Sequence, residues 1–248
     1  MLLSRIRNAF SAIIILLMFL LGSPVIALMV VLSFGYLRDQ TVRVVSIVIG
    51  RTALFLLGVN LKVVKHGDPY SRPSLVLINH NSVLDMFVIL ALGVPNIRYV
   101  AKYEFQFNPV FFLIGHITGQ IFIKRDNSEK AIAVLKRAVA RIQKQNLSIL
   151  VAPEGSRKHE GIVGPFKKGA FRMAVDLNYP LLPVFIDGAR ELAVGGSLNV
   201  KRGTVTATLY PFIETNGWTR DKVPEYADTV RGKYMEWSGV TEETNLLK

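Results

Sequence analysis

A histidine and an aspartate five positions apart are the strongest candidates for acid–base chemistry. His80 and Asp85 lie in the segment Asn-His-Asn-Ser-Val-Leu-Asp, residues 79–85, directly after an apolar run that ends at Ile78. On one continuous helix, residues with this spacing diverge by about 140° around the axis. The side chains can therefore meet only if His80 lies in a loop and Asp85 in the first turns of the next helix.

A carboxylate bonded to one ring nitrogen of His80 would hold the ring in one tautomer and leave the other nitrogen free as a base. The alternative is a histidine near a helix start with no functional link to the aspartate. The sequence by itself leaves both interpretations open.

The segment Pro-Glu-Gly-Ser-Arg-Lys, residues 153–158, offers groups that could bind an anionic substrate. Gly155 allows the backbone to approach a ligand closely, and Arg157 presents a fork of donors that suits phosphate. Glu154 lies beside them. A solvated turn with incidental charges is the alternative.

Two more candidate cations follow short predicted strands. Arg125 ends the segment Gly-Gln-Ile-Phe-Ile-Lys-Arg, residues 119–125, and Lys102 follows the run 97–101. Cations at the ends of strands could face an anion bound at the edge of a sheet. Each could equally be a surface charge.

The composition favours a protein associated with a membrane. The 248 residues are 50% hydrophobic and 19% charged, with a net charge of +12, whereas about a quarter of a typical soluble domain is charged. The absence of cysteine excludes disulfides, thiolate catalysis and cysteine-based zinc sites. The positive charge fits an anionic membrane surface or substrate better than a nucleic acid, because no basic tail or nucleic-acid-binding motif is present.

Residues 1–60 are predicted to anchor the chain through two helices. No charge occurs from Asn8 to Leu37, and a second apolar stretch runs from Val44 to Val59, interrupted by Arg51. Thirty helical residues would measure about 45 Å, against roughly 30 Å for the hydrocarbon core of a bilayer. Pro24, in the middle of the first stretch, predicts a break or kink.

The arrangement of these two helices in the bilayer stays open. They could form a hairpin that dips into one leaflet, or one spanning helix followed by an interfacial helix. Basic residues flank the first stretch on both sides and do not set its orientation. A buried core helix and a cleaved signal peptide are alternatives; the apolar run is longer than a signal peptide needs and lacks a clear cleavage site.

Residues 61–248 are predicted to form an α/β domain, because short β-rich runs alternate with amphipathic helical stretches. The predicted strands are 61–64, 74–78, 97–101, 120–124, 147–152, 181–186 and 204–209. The predicted helices are 84–92, a helix that starts with a capping box at 126–129 and continues to 142, 170–177, and a last helix at 223–237. The segment 110–117 is apolar and ambiguous.

In their order along the chain, these segments resemble the motifs of the lysophospholipid acyltransferase family, especially its small bacterial 1-acyl-sn-glycerol-3-phosphate acyltransferases. The family pattern NHxxxxD matches residues 79–85, and GxIFIxR matches residues 119–125. EGTR matches residues 154–157, with Ser156 in place of threonine, which keeps the hydroxyl. Residues 182–184 match the apolar-Pro-apolar pattern, and 102–104 match a K-x-E segment.

The resemblance implies a single glycerolipid-acyltransferase-like domain with a central mixed sheet flanked by helices. It implies transfer of a fatty acyl group from acyl-CoA or acyl carrier protein to the sn-2 hydroxyl of lysophosphatidate, which makes phosphatidate. The expected location is a membrane, at the cytoplasmic face of the bacterial inner membrane. No metal or dissociable cofactor is expected, because the thioester is itself an activated acyl donor.

The resemblance also implies a role for each candidate residue. His80 would act as the general base and Asp85 would orient it. Arg125 and Arg157 would bind the phosphate with help from Lys102. The expected role of Glu154 is to orient an arginine or a glycerol hydroxyl, and backbone amides around Gly155 could stabilise the oxyanion.

Three other functions remain open. The same chemistry could act on another lysolipid or on glycerol-3-phosphate. A serine hydrolase using Ser82 or Ser156 is disfavoured because the G-x-S-x-G pattern is absent. The chain could also bind membrane lipids without catalysis.

Overall fold

A mixed sheet of seven strands organises the fold. The computed structural model describes residues 2–107, 112, 115–123, 138–157, 161–195, 197 and 199–245. The strands are β1 Val59–Lys65, β2 Leu75–Ile78, β3 Ile97–Lys102, β4 Ile121–Ile123, β5 Ser148–Val151, β6 Leu181–Asp187 and β7 Gly203–Leu209. Their order across the sheet is β1-β7-β6-β2-β5-β3-β4. Only β6 and β7 pair antiparallel among these strands, so the expected mixed α/β sheet is confirmed.

Helices cover both faces of this sheet. They are α1 Leu2–Leu32, α2 Arg38–Leu56, α3 Leu84–Leu92, α4 Lys168–Leu177, α5 Ala189–Leu192, α6 Val223–Trp237 and α7 Glu242–Asn245. Residues 138–144 are also helical, and Tyr103–Phe107 form a 3-10 helix.

The central strand β2 shows why helices are needed on both faces. Its residues Val76 and Ile78 pack into the apolar core shared with α2 and α3, whereas Leu75 and Leu77 pack into the core shared with α4 and α6. A strand that is apolar at every position is typical of a sheet buried on both faces.

Most predicted elements lie within a few residues of their expected positions. The helices predicted at 84–92 and 223–237 have those bounds in the structure. The predicted helix start at 126–129 lies outside the described residues, as does most of 110–117, of which residues 112 and 115–117 are helical. The 3-10 helix, α5 and α7 were not predicted, because four or five residues are too few to show a helical period.

Of the break or kink predicted at Pro24, the break is absent, because α1 continues through this residue without interruption. Ser23 and Ile26 on either side are buried, and a β-carbon at Gly22 would lie 3.5 Å from Val45 of α2. Packing on both sides of the proline therefore holds the helical backbone despite the missing amide donor. The hydroxyl of Ser23 also donates to the carbonyl of Phe19 at 2.5 Å, so this polar group is satisfied within the helix.

In α1, large apolar side chains face outward and polar side chains face inward, which is the opposite of the arrangement in a helix of a soluble protein. Large apolar side chains such as Phe10 and Leu21 point outward, with 61% and 67% of their surface exposed. Asn8 and Ser11 instead face inward and bond backbone carbonyls of Val200 and Leu56. Among the described helices, only residues 6–32 are long and apolar enough to cross a membrane. This pattern indicates membrane association through α1.

The second helix, α2, packs closely against α3. A β-carbon at Gly50 of α2 would lie 2.4 Å from the backbone nitrogen of Ala91 and 2.7 Å from the backbone oxygen of Phe87. Only a glycine permits this approach. Residues 87–91, in the second half of α3, are therefore held against α2.

Gly50→Ala is expected to lower the free energy of unfolding by about 1–3 kcal/mol, because the added methyl group forces α2 away from α3. The matched control is Gly232→Ala in α6, where nothing lies within 4 Å of the new β-carbon. This control should retain stability or gain up to about 1 kcal/mol, since alanine favours the helix. Denaturant unfolding of both variants in one detergent measures the difference, and equal stabilities would contradict the close packing.

Candidate active site

The loop after β2 brings His80 and Asp85 together. Because β2 ends at Ile78 and α3 begins at Leu84, His80 lies in the loop and Asp85 in the first turn of α3. His80 Nδ1 lies 3.0 Å from Asp85 Oδ2, so the geometry expected from their spacing is confirmed. The Asp85 side chain has no exposed surface, whereas the His80 side chain is 25% exposed. With Nδ1 engaged, Nε2 is the ring nitrogen left for acid–base chemistry.

The carboxylate of Asp85 is held by more than the histidine. Its Oδ2 also accepts the backbone N–H groups of Asn81 and Ser82, each at 2.9 Å. Burial raises the pKa of the Asp85 carboxyl above its usual value, and the bonds from His80 and the two amides oppose that rise. Three donors on one oxygen fix the direction of the carboxylate and, through it, the orientation of the imidazole ring.

Two polar side chains attach the ends of this loop to the rest of the fold. The amide group of Asn79 pairs with the backbone of Ile186 in β6, donating to its carbonyl at 2.8 Å and accepting its N–H at 2.7 Å. The hydroxyl of Ser82 donates to the carbonyl of Ala193 at 2.6 Å. The sequence predicts neither bond, because the partners of Asn79 and Ser82 lie more than a hundred residues away.

Glu154 holds the backbone of the histidine. It lies in the loop after β5, the strand next to β2, and is 5% exposed. Its Oε2 accepts the N–H of His80 at 2.6 Å, and its Oε1 accepts the N–H of Gly164 at 3.0 Å. Both oxygens of Glu154 therefore bind backbone amides, a contact that the sequence did not predict.

The same loop places cationic groups at this edge of the sheet. Gly155 has a φ of +70°, and its own N–H donates to the carbonyl of Ala152 at 3.0 Å, so this amide is already engaged. The Lys167 side chain packs across the glycine, with Nζ 2.9 Å from where a β-carbon would stand. Arg157 is partly buried. Within the described residues its guanidinium makes no hydrogen bond or ion pair.

The remaining candidate residues differ in how far the structure places them. Lys102 is the last residue of β3, which runs parallel to β5, so it lies at the same edge as the loops that contain His80 and Glu154. Arg125 lies outside the described residues. Among the residues that are described, no three His, Asp or Glu side chains are grouped closely enough to hold a metal ion.

Comparison with known proteins identifies the family. The sequence model of the family described as Acyltransferase matches residues 60–187, just over half of the chain. The chain is 28% identical over 209 residues to the 1-acyl-sn-glycerol-3-phosphate acyltransferase of Limnanthes douglasii, covering 84% of this chain and 74% of that protein. It is 31% identical over 178 residues to the human 1-acyl-sn-glycerol-3-phosphate acyltransferase alpha, covering 71% and 63%. The chain belongs to the Acyltransferase family, which confirms the resemblance drawn from its motifs.

A solved structure shares the fold. The crystal structure of the 1-acyl-sn-glycerophosphate (LPA) acyltransferase PlsC from Thermotoga maritima matches with a TM-score of 0.63 and 23% sequence identity. The match covers 90% of this chain and 97% of that one. At this identity the likeness shows the common fold.

Glu154→Gln is expected to destabilise the protein, because a carboxamide has only one acceptor oxygen for two amide donors. The N–H of either His80 or Gly164 would lose its partner, at a cost of about 1–3 kcal/mol in unfolding free energy. Glu214→Gln is the matched control: Glu214 pairs with Arg72 at an exposed site, and its loss should cost less than about 1 kcal/mol. If chemical denaturation gave equal losses of unfolding free energy for the two variants, the bonds from Glu154 to the two backbone amides would contribute no more than an exposed ion pair.

Proposed function

We propose that the protein transfers a fatty acyl group from acyl-CoA or acyl carrier protein to the sn-2 hydroxyl of lysophosphatidate, making phosphatidate for phospholipid synthesis. The observation that carries the proposal is the 3.0 Å contact between His80 and a fully buried Asp85 in a member of the Acyltransferase family. The relatives named above are 1-acyl-sn-glycerol-3-phosphate acyltransferases, which favours this acceptor.

In the proposed reaction, His80 Nε2 removes the proton from the acceptor hydroxyl while that oxygen attacks the thioester carbonyl. The tetrahedral intermediate then collapses, the carbon–sulfur bond breaks, and the thiolate takes the proton back from the imidazolium. Asp85 stabilises the transient imidazolium and keeps the ring oriented. Such general-base assistance contributes about 10²–10⁴-fold to the rate. No acyl-enzyme is needed, since the attacking hydroxyl belongs to the acceptor.

We assign the phosphate site to the loop after β5, which is linked to His80 through the bond from its backbone amide to Glu154. Arg157 supplies a guanidinium that is not committed to another described group, and Lys167 lies against Gly155 in the same loop. Lys102 and Arg125 complete the proposed set of cations. Glu154 bonds the amide of His80, so we assign it to holding the base in place rather than to binding phosphate, which a carboxylate would repel.

The membrane segment fits a substrate that is itself a lipid. We propose that residues 1–60 anchor the protein and that residues 61–248 form the acyltransferase domain, at the cytoplasmic face of the bacterial inner membrane. A site held at the bilayer can reach the hydroxyl without drawing the acyl tail into water, which costs about 0.8 kcal/mol for each CH₂. The net charge of +12 favours contact with anionic membrane lipids.

His80→Ala is expected to lower turnover of lysophosphatidate by about 10²–10⁴-fold while the protein stays folded, because the general base is lost. His66→Ala is the matched control, since His66 stacks on Tyr210 beside the edge strand β1, and it should retain turnover. The assay supplies acyl-CoA and acyl carrier protein thioesters in turn, with lysophosphatidate, other lysolipids and glycerol-3-phosphate as acceptors, in detergent or vesicles.

The same acceptor and donor panel separates the alternatives. If another lysolipid or glycerol-3-phosphate were turned over faster than lysophosphatidate, that molecule would be assigned as the acceptor. Binding of lysolipid without any product would indicate a lipid-binding protein without catalysis. A covalent acyl-protein that disappears in a Ser82 or Ser156 variant would indicate a serine mechanism.

Arg157→Ala is expected to raise the KM for lysophosphatidate by about 10–100-fold, the effect of losing charge-assisted hydrogen bonds to a phosphate. The KM for the acyl donor should change much less. Arg220→Ala serves as the control, because Arg220 is an exposed partner of Asp176. Unchanged lysophosphatidate KM and turnover in the Arg157 variant would show that the phosphate binds elsewhere.

A further inference from the structure

A short irregular segment next to the candidate site is held in place by side chains. Residues 161–164 lie outside any helix or strand, and three of the four are buried. The side chains that bond to their backbone are Asn81, Glu154, Arg190, Arg231 and Asn245. Buried backbone groups without a sheet or helix partner need such bonds. The path of this segment therefore depends on residues from distant parts of the chain.

Asn245, the last residue of α7, makes three of these bonds. Its Oδ1 accepts the N–H groups of Ile162 at 2.9 Å and Val163 at 3.0 Å. Its Nδ2 donates to the carbonyl of Val163 at 2.9 Å. The residue is only 2% exposed. One buried amide side chain thus binds the backbone of two consecutive residues.

The contact between Asn245 and the segment is close. Gly161 has a φ of +80°, and a β-carbon there would lie 2.6 Å from the backbone oxygen of Asn245 and 2.7 Å from its Nδ2. Arg231 of α6 also connects the segment with α7, since it pairs with Glu242 of α7 and donates to the carbonyl of Gly164 at 3.1 Å. The segment and α7 therefore form one packed unit.

Two paths, each of two hydrogen bonds, lead from this unit to His80 and Asp85. The carbonyl of Ile162 accepts Nδ2 of Asn81 at 3.1 Å, and the N–H of Asn81 bonds Asp85 Oδ2. The N–H of Gly164 bonds one oxygen of Glu154, whose other oxygen accepts the N–H of His80. Asp85 and His80 are therefore each linked to the segment through one intervening residue, Asn81 and Glu154.

We propose that Asn245 is a positioning residue for acyl transfer: it holds residues 161–164 where Asn81 and Glu154 need them to keep His80 and Asp85 aligned. Its catalytic consequence rests on the proposed function. Asn245 contacts neither His80 nor Asp85 in its hydrogen bonds, and its effect passes through the backbone of the segment. A shift of about 1 Å at a catalytic group can cost up to about 100-fold in rate.

Hydrogen exchange tests the link without relying on any reaction. In Asn245→Ala, the amides of Ile162 and Val163 should exchange at least about fivefold faster, and the amide of His80 should follow, since a typical hydrogen bond contributes on the order of 1 kcal/mol. Thr215→Ala is the matched control: it also removes a buried side-chain bond, from Thr215 Oγ1 to the carbonyl of Tyr179, but away from the segment. It should leave these amides unchanged. An unchanged His80 amide in the Asn245 variant would overturn the proposal.

Kinetics then separate positioning from stability alone. Asn245→Ala should lower kcat for lysophosphatidate by about 10-fold or more, with the acceptor KM within about twofold of wild type, because the base is displaced while the phosphate site remains. Thr215→Ala should retain the wild-type kcat even if it lowers the melting temperature as much as Asn245→Ala does. Equal kcat in the two variants would overturn the proposal, whereas an inactive wild-type protein would instead refute the proposed function.

Gly161→Ala provides a second variant that keeps every polar partner but pushes the segment away from Asn245. It should raise exchange at His80 and lower kcat in the same manner as Asn245→Ala. If one variant does not fold, the other decides the question. If neither folds, Asn245 and Gly161 serve the fold as a whole, and the proposal of a specific positioning role is wrong.

Discussion

The bonds made by one carboxylate oxygen, Asp85 Oδ2, organise the candidate site. A carboxylate buried without donors is costly, and here the His80 ring and the amides of Asn81 and Ser82 supply them. These donors are available only if the chain turns sharply between β2 and α3. The shape of the loop and the direction of the imidazole are therefore tied to the donors that satisfy this one buried oxygen.

The order of strands gives this loop its second support. Because β2 and β5 are parallel neighbours, the loops at their carboxyl ends meet, and Glu154 reaches the backbone of a histidine 74 residues earlier in the chain. Ligand sites in open α/β sheets form at this edge for the same reason. The cations of the proposed phosphate site, Arg157 and Lys167, follow the same strand β5.

The N-terminal helices take part in the fold as well as in membrane association. α1 turns apolar side chains outward and buries Asn8 and Ser11, whereas α2 packs its Gly50 against the backbone of α3. The helix that carries Asp85 in its first turn is thus in direct contact with the segment proposed as the anchor.

The local sequence pattern was enough to predict the α/β fold and the geometry of the His80–Asp85 pair. The alternation of apolar runs with helical periods predicted the α/β fold, and the spacing of His80 and Asp85 required the loop-to-helix geometry that the structure has, because both depend on neighbours within a few residues. The helix is not broken at Pro24, since packing on both sides offsets the loss of one amide donor. Two contacts needed the tertiary structure: Glu154 bonds the amide of His80, 74 residues away, and Asn245 bonds the amide of Ile162, 83 residues away. Only the folded chain brings these groups within hydrogen-bonding distance.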